Sequence, residues 1–374
     1  MNNAVIAGYV RSPFTPAGKG GLARTRPDDL AAAVVRELVR RTGVPPADLE
    51  DLIVGCAFPE GEQGLNVART IGFLAGLPLT IAATTVNRYC GSSMQAVHMA
   101  AGAIALGAGD AFICCGVESM SRVPVMGFNP MPHPGLAKSF PAAYQAMGIT
   151  AETLARRYAI SRLAQDAFAV ASQAKAAKAR ADGYFEAEII PVSEVAADGC
   201  IRPETSPGSL AALAPAFDAS GTVTAGSSSP LTDGAAALLV TSAAYARAHG
   251  LEILAGIRSF AVAGCAPDLM GLGPVPATRK ALARAGLALS DIAIIELNEA
   301  FAAQSLACIQ DLDLDPERIN LDGGAIALGH PLGATGARIT GKAASLLKRN
   351  GAQFALATQC IGGGQGIATI LEAV

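Results

Sequence analysis

A chain of 374 residues is long enough for two or three domains and for a large core that needs no disulfide or metal staple. Hydrophobic residues make up 51% and charged ones only 16%, which excludes a mainly disordered chain. The formal charge is −3, from 28 basic and 31 acidic residues with no Lys/Arg run, and aromatics are 5% without Trp; a nucleic-acid-binding face is therefore not expected.

Residues 4–9 read as a buried strand, and the stretch from Met1 to Ala7 has no basic segment or cleavage site of a secretion signal. Asp28-Asp29 opens an amphipathic helix reaching Arg41, stopped by Gly43 and Pro45-Pro46. A strand over 51–56, a short helix over 66–74 and a strand over 84–87 come next. Gly91-Ser92-Ser93 then begins a helix of small residues to about Leu106, and 110–117 is another apolar strand. Nearly all-apolar strands alternating with helices predict an α/β sheet covered on both faces.

The same grammar recurs in the second half. Gly43, Asp48 and Leu49 are echoed by Gly286, Asp291 and Ile292, and Gly109 to Phe112 by Gly351 to Phe354, at nearly one offset. An offset this long predicts a duplicated domain rather than a solenoid. Between the copies lies a stretch of different character: a Pro/Met-rich loop over 124–141, a helical pattern over 151–181 with Ser161 as a cap at its midpoint, and a Gly/Pro/Ser tract over 199–208. The expected organisation is a first half over 1–120, an insertion over 121–228, a return to the first half over 229–250, and a second half over 251–374. No membrane-spanning apolar stretch is found, and Leu371 to Val374 matches no peroxisomal or prenylation address, so a cytoplasmic location is expected. So low a surface charge predicts a homo-oligomer.

Eight cysteines in so long a chain, with no metal-spaced C-x-x-C pair, do not predict a disulfide framework or a metal site. Cys56, Cys114 and Cys115 sit in apolar runs and read as small core residues. Cys90 ends a strand and opens a helix, where the helix dipole is expected to lower its pKa and expose a thiolate; a buried cysteine in a turn fits the pattern equally well. His330, one of four histidines, follows Gly323-Gly324-Ala325-Ile326-Ala327-Leu328-Gly329 at the entry to a helix. A lone histidine is more often structural than functional, and His98, His133 and His249 are read as structural. Gln359-Cys360-Ile361-Gly362-Gly363-Gly364-Gln365-Gly366 follows a strand over 354–358; what comes after looks like a strand, so no helix is left for a dinucleotide phosphate. Asn298 in Asn298-Glu299-Ala300-Phe301 stands at an expected helix start, where it can pin a water or carbonyl.

Taken together, Val86-Asn87-Arg88-Tyr89-Cys90-Gly91-Ser92-Ser93-Met94-Gln95, Asn298 to Phe301, Gly323 to Gly333 and Cys360 to Gly366 resemble the thiolase family, in order and over the whole length. The resemblance implies the thiolase fold: duplicated α/β halves forming a five-layered α/β/α/β/α core with an inserted loop domain. It implies thiolytic cleavage of 3-oxoacyl-CoA to acetyl-CoA and a shortened acyl-CoA, as in fatty-acid β-oxidation, with CoA as co-substrate and no permanently bound cofactor. Cys90 is then the nucleophile, His330 its activator, Cys360 the acid and base, and Asn298 the holder of a water that with His330 stabilises an enolate. The N–H groups of Cys90 and Gly362 form a second oxyanion hole. The resemblance also places Ser229, Met147, Ala300 and Phe301 along the pantetheine and thioester channel and Arg202 near the adenine end of CoA. Partners are CoA and acyl-CoA thioesters, with a homodimer or homotetramer as the assembly. Ala146 stands where the short-chain biosynthetic branch has a His, which favours longer acyl chains. The alternatives are an acetoacetyl-CoA thiolase working biosynthetically and a non-catalytic acyl-CoA or lipid binder. A decarboxylating ketosynthase is disfavoured because Asn298 stands where that class has a second His.

Overall fold

The computed structural model describes residues 3–374; Met1 and Asn2, the start of the expected signal-free terminus, lie outside the described residues. The first strand, β1 (Ala4–Arg11), is followed by α1 (Pro27–Thr42), β2 (Asp51–Gly55), α2 (Val67–Ala75), β3 (Ala82–Val86), α3 (Ser92–Ala105) and β4 (Ala111–Ser119). Each lies within a few residues of its expected position. Acidic Asp28 and Asp29 in the first turn of α1, with Arg40 and Arg41 in its last, complement the helix dipole, and Gly43 ends it at φ 69°.

After the insertion come β5 (Thr232–Ser242), β6 (Ala255–Gly264), α6 (Pro274–Ala285), β7 (Ile294–Leu297), α7 (Ala302–Leu312), α8 (Leu332–Asn350), β8 (Phe354–Ile361) and β9 (Gln365–Glu372); helices α4 and α5 of the insertion are given below. The strands follow one another in space as β3-β2-β4-β5-β1-β6-β9-β8-β7. Read from either end, the order is the same. β2 is parallel to β3 and β4, while β5 is antiparallel to β4 and β1. In the second half β7 is parallel to β8, and β9 is antiparallel to β8 and β6. The counterpart of β3 shrinks to a single parallel bridge, Ile295 to Ile319. The seam between halves, β1 on β6, is only Val5 to Gly256 and Ile6 to Ala255. The echoed residues occupy equal roles: Gly286 ends α6 at φ 69° as Gly43 ends α1, and both are followed by a 3₁₀ turn, Pro46–Asp48 and Leu289–Asp291.

Three apolar cores explain the layering. One packs α1 and α2 on the outer face of the first-half strands, through Leu30, Val34, Leu38 and Ile71. Another packs α6 and α7 on the second-half strands, through Val275, Leu282, Cys308 and Leu312. The central core holds α3 and α8 between the two sets of strands, with Met94, Val97, Ile104, Ile339 and Leu346 all buried. A five-layered α/β/α/β/α stack results. Small residues permit the close approach at its centre: a side chain on Gly116 of β4 would overlap the Gly333 carbonyl oxygen of α8.

The insertion differs in detail from its expected form. The helical pattern over 151–181 is two helices, α4 (Met147–Arg157) and α5 (Arg162–Ala181), because Ser161 caps α5 by accepting from the Ala164 N–H and Ala159 turns the chain at φ 51°. The Pro/Met-rich segment read as loop contains a short helix, Pro134–Ser139, and a 3₁₀ turn, Pro141–Tyr144. Prolines at their first turns, needing no N–H donor there, started helices where a loop was expected. No helix among the described residues is long and apolar enough to cross a membrane.

Candidate active site

Strand β8 is the spine of the site. Three consecutive residues each engage a different part of the chain. The carbonyl of Thr358 accepts from the Asn298 N–H at 3.0 Å, and Gln359 Nε2 donates to the Cys90 carbonyl at 2.8 Å. Cys360 is the third, buried with Met147, Ala300 and Phe301 in one apolar cluster. Residues far apart in sequence are thus registered on one strand.

Cys90 lies just before α3, in a turn held by several local bonds. Asn87 Oδ1 accepts from the Tyr89 N–H at 2.8 Å, and Ser92 Oγ accepts from the Arg88 N–H at 2.9 Å while donating to the Tyr89 carbonyl at 2.6 Å. Tyr89 has φ 43°, a conformation that a bulky residue adopts only when its surroundings enforce it. A side chain on Gly91 would crowd Ile361 and Ile367, so glycine lets the turn sit against β8 and β9. Burial pushes the Cys90 thiol up to about 11; the Gly362 N–H, which bonds the sulfur, opposes this, and the Glu118 carboxylate adds to it. The expected lowering of this pKa by the helix is therefore overturned. Desolvation, with the Glu118 charge, outweighs the Gly362 N–H, and the resting sulfur is a thiol.

Burial raises the Cys360 thiol well above its usual range, and the Cys90 sulfur, acting through space, adds to the rise. Gln359, one residue before Cys360, holds the Cys90 carbonyl, so the two cysteines lie in one region. Gly362 follows on the turn between β8 and β9; a β-carbon placed on it would stand 3.6 Å from Met147 Sδ and 3.7 Å from the Tyr89 ring.

His330 is buried, and its partners define its tautomer. Thr335 Oγ1 is 2.6 Å from Nδ1 and donates its own proton to the Pro331 carbonyl at 3.2 Å, so it accepts from Nδ1–H. Nε2 keeps its lone pair, with Asn298 Nδ2 facing it at 3.4 Å. Burial, helped by the charge of Arg338, holds the imidazole pKa down to about 3, so the ring is neutral. Asn298 follows β7 directly rather than opening a helix, because α7 begins only at Ala302; its buried Oδ1 has no hydrogen-bond partner among the described residues. The loop carrying His330 is fastened by Glu299, which accepts from Ser172 Oγ at 2.6 Å, Asn320 Nδ2 at 2.8 Å and the Ile326 N–H at 3.1 Å. Sequence reasoning assigned Glu299 no role, and only its place beside Asn298 pointed to it.

Among the remaining expected residues, Ser229 donates to the Ala300 carbonyl through both its N–H (3.0 Å) and its Oγ (3.1 Å). That brings Ser229, Ala300 and Phe301 to the wall formed with Cys360 and Met147. Phe217 packs edge-on against Phe301, with centroids 5.8 Å apart. Arg202 is exposed and is tied by its N–H to Gln173 Oε1 at 2.7 Å; its guanidinium is given no partner by these contacts. The other histidines are occupied locally: His98 bonds Thr369 at 2.8 Å, His133 caps a short helix, and His249 stacks on Tyr245. Cys56, Cys114 and Cys115 are fully buried, as their apolar surroundings implied.

Known proteins match the chain along its whole length. The family model described as "Thiolase, N-terminal domain" matches residues 4–244, and "Thiolase, C-terminal domain" matches residues 251–373. A 3-ketoacyl-CoA thiolase of Aliivibrio fischeri is 53% identical over 386 residues, and one of Bacillus subtilis 49% over 389, each with full coverage of both chains. The crystal structure of the Bacillus anthracis acetyl-CoA acetyltransferase superposes with a TM-score of 0.92 at 40% identity, covering 100% of this chain and 99% of that one.

Proposed function

The chain belongs to the thiolase family, and we propose that it cleaves 3-oxoacyl-CoA with free CoA, giving acetyl-CoA and an acyl-CoA shortened by two carbons. The observation that carries this reading is the register on β8, which gathers Cys90, Cys360 and Asn298, with His330 against Asn298. Identity near 50% to 3-ketoacyl-CoA thiolases, against 40% to the acetyl-CoA acetyltransferase, favours degradation over acetoacetyl-CoA synthesis. A purely carrying role is not favoured either, since thiol, base, amide and second thiol are all present.

His330 Nε2 takes the proton of Cys90, and the thiolate attacks the 3-keto carbon. The carbonyl oxygen gains charge as the C–S bond forms, and the N–H groups of Cys90 and Gly362 receive it, a stabilisation typically worth about 3 kcal/mol per donor. The C2–C3 bond then breaks, leaving an acyl group on Cys90 and an acetyl-CoA enolate. The protonated His330 and a water held by Asn298 stabilise that enolate, and Cys360 gives its proton to the enolate carbon. Cys360, now a thiolate, takes the proton of incoming CoA, whose sulfur attacks the acyl-Cys90 carbonyl and carries the acyl group away, and Cys90 leaves as a thiolate that regains its proton from His330. A raised resting pKa at Cys360 suits a proton donor that must hold its proton until the enolate forms.

CoA is the co-substrate, with no permanently bound cofactor. Ser229, Met147, Ala300 and Phe301 line the pantetheine and thioester end, and Arg202 meets the adenine and phosphate end. Ala146 in place of imidazole leaves room for longer apolar acyl chains. The sparsely charged surface suits a homodimer or homotetramer, and eight free cysteines suit the reducing cytoplasm. The test is the absorbance of the magnesium–acetoacetyl-CoA enolate. It falls when enzyme and CoA are added and stays constant with Cys90→Ser; an active Cys90→Ser enzyme would overturn the site assignment.

A further inference from the structure

One buried side chain outside this scheme touches both halves of the site. Glu118 ends β4 and is 1% exposed. Its Oε2 accepts from the Ala57 N–H at 2.8 Å and the Gly333 N–H at 2.9 Å. Its Oε1 accepts from Gln63 Nε2 at 2.8 Å and the Phe58 N–H at 3.2 Å, and the Cys56 thiol lies 3.8 Å away. Every one of these partners is a donor. A protonated carboxyl would turn an O–H toward groups that cannot accept it, so the donor set fits the ionised form.

From this carboxylate a short relay runs to each reacting group. On one side, the Ala57 carbonyl accepts from Asn87 Nδ2 at 3.0 Å, and Asn87 Oδ1 holds the Tyr89 N–H beside Cys90. On the other, Gly333 lies in the first turn of α8, two residues after Pro331, whose neighbour is His330. Glycines at 55, 116 and 333 let these backbones meet: a side chain on Gly333 would crowd the carbonyls of Val117 and Gly55.

We propose that Glu118 is a positioning residue for thiolysis: its carboxylate fastens the loop after β2 to the first turn of α8, so that Cys90 and His330, carried by different halves, meet in fixed geometry. The same charge acts on chemistry. The Cys56 thiol, from the segment after β2, faces Glu118 directly, Gln63 and the α8 backbone contribute neutral donors that offset the burial raising the Glu118 pKa, and the carboxylate acts on Cys90 through space. A fixed negative charge there raises the Cys90 pKa, so the resting sulfur keeps its proton and loses it only to a base.

The inference rests on the roles given above to Cys90 and His330. The experiment compares Glu118→Gln with the wild-type enzyme in kcat, KM, thermal midpoint and the pH dependence of Cys90 alkylation by iodoacetamide. A loosened geometry lowers kcat about 10- to 100-fold with KM little changed. Removing the charge moves the alkylation midpoint to lower pH, which a merely structural role would not do. An unmoved midpoint, or a kcat loss no larger than the loss of folded protein, overturns the proposal. If Glu118→Gln does not accumulate folded, Asn87→Ala carries the test: kcat falls while the alkylation midpoint stays, and an unchanged kcat overturns the relay. Activity retained by Cys90→Ser or His330→Ala would instead remove the reading on which the relay rests.

Discussion

Thr335 Oγ1 stands 2.6 Å from His330 Nδ1 and passes its own proton to the Pro331 carbonyl, so one hydroxyl decides which nitrogen of the imidazole is free to act. Thr335→Val keeps the shape and removes the acceptor, leaving a buried N–H without a partner. A hydrogen bond of about 1 kcal/mol corresponds to a kcat about 3- to 10-fold lower, with KM unchanged and Thr335→Ser restoring the rate. Steady-state kinetics decides it. A Val variant at wild-type kcat removes the hydroxyl from the mechanism.

Cys360→Ala separates the two thiols. Acyl transfer from an acyl-CoA to Cys90 continues, visible as the mass of the acyl-enzyme, because the CoA thiolate is a good enough leaving group to depart without the Cys360 proton. Cleavage of 3-oxoacyl-CoA falls by about 10²-fold or more, because the enolate carbon has lost its proton donor. Wild-type cleavage in this variant would give the proton to another group.

Burial holds both His98 and His330 down to about 3. In the unfolded chain a histidine binds its proton near pH 6.5. Between these values the unfolded state holds more protons than the folded one, so their contribution to stability is complete above about pH 6.5 and is lost as the pH falls toward 3. His98→Gln removes one of the two. Between about pH 6 and pH 4 the wild-type protein loses up to about 1.4 kcal/mol per pH unit more than the variant. Urea midpoints at several pH values measure the difference, and parallel slopes would contradict it.

Gly116→Ala tests the close approach of the halves. Its β-carbon meets the Gly333 carbonyl, a backbone atom that cannot swing aside. Overpacking of this kind costs about 1–3 kcal/mol, read as a lowered denaturation midpoint. A variant as stable as the wild type would mean that α8 can shift.

Ala146→His tests the acyl end. If Ala146 leaves room for long chains, an imidazole there lowers kcat/KM for long 3-oxoacyl-CoA about 10-fold or more relative to acetoacetyl-CoA. Equal losses for both substrates would place the acyl chain elsewhere.

Much of this was legible from the chain itself, because local chemistry and tertiary structure agree there. Ser161 capped a helix where its hydroxyl could reach the N–H three residues on, and the Gly43 and Gly286 stops recur with one backbone conformation. Electrostatics was less legible. The helix dipole at Cys90 can be read locally, but its burial, the Gly362 N–H and the Glu118 charge come from elsewhere in the chain. The fastening role of Glu118 was not legible locally, since most of its partners are backbone groups that any sequence supplies. The Pro-rich segment after residue 123 misled for a related reason: proline forbids a helix interior but permits a helix start.

The pairing of α3 with α8 between the two sets of strands leaves neither half in possession of a complete interior. A fragment ending near residue 250 would expose the oily underside of its sheet to water and would be expected to clump rather than stand alone. What began as a repeat has become a lock and its counterpart, and inheritance must keep the facing surfaces of both matched at once.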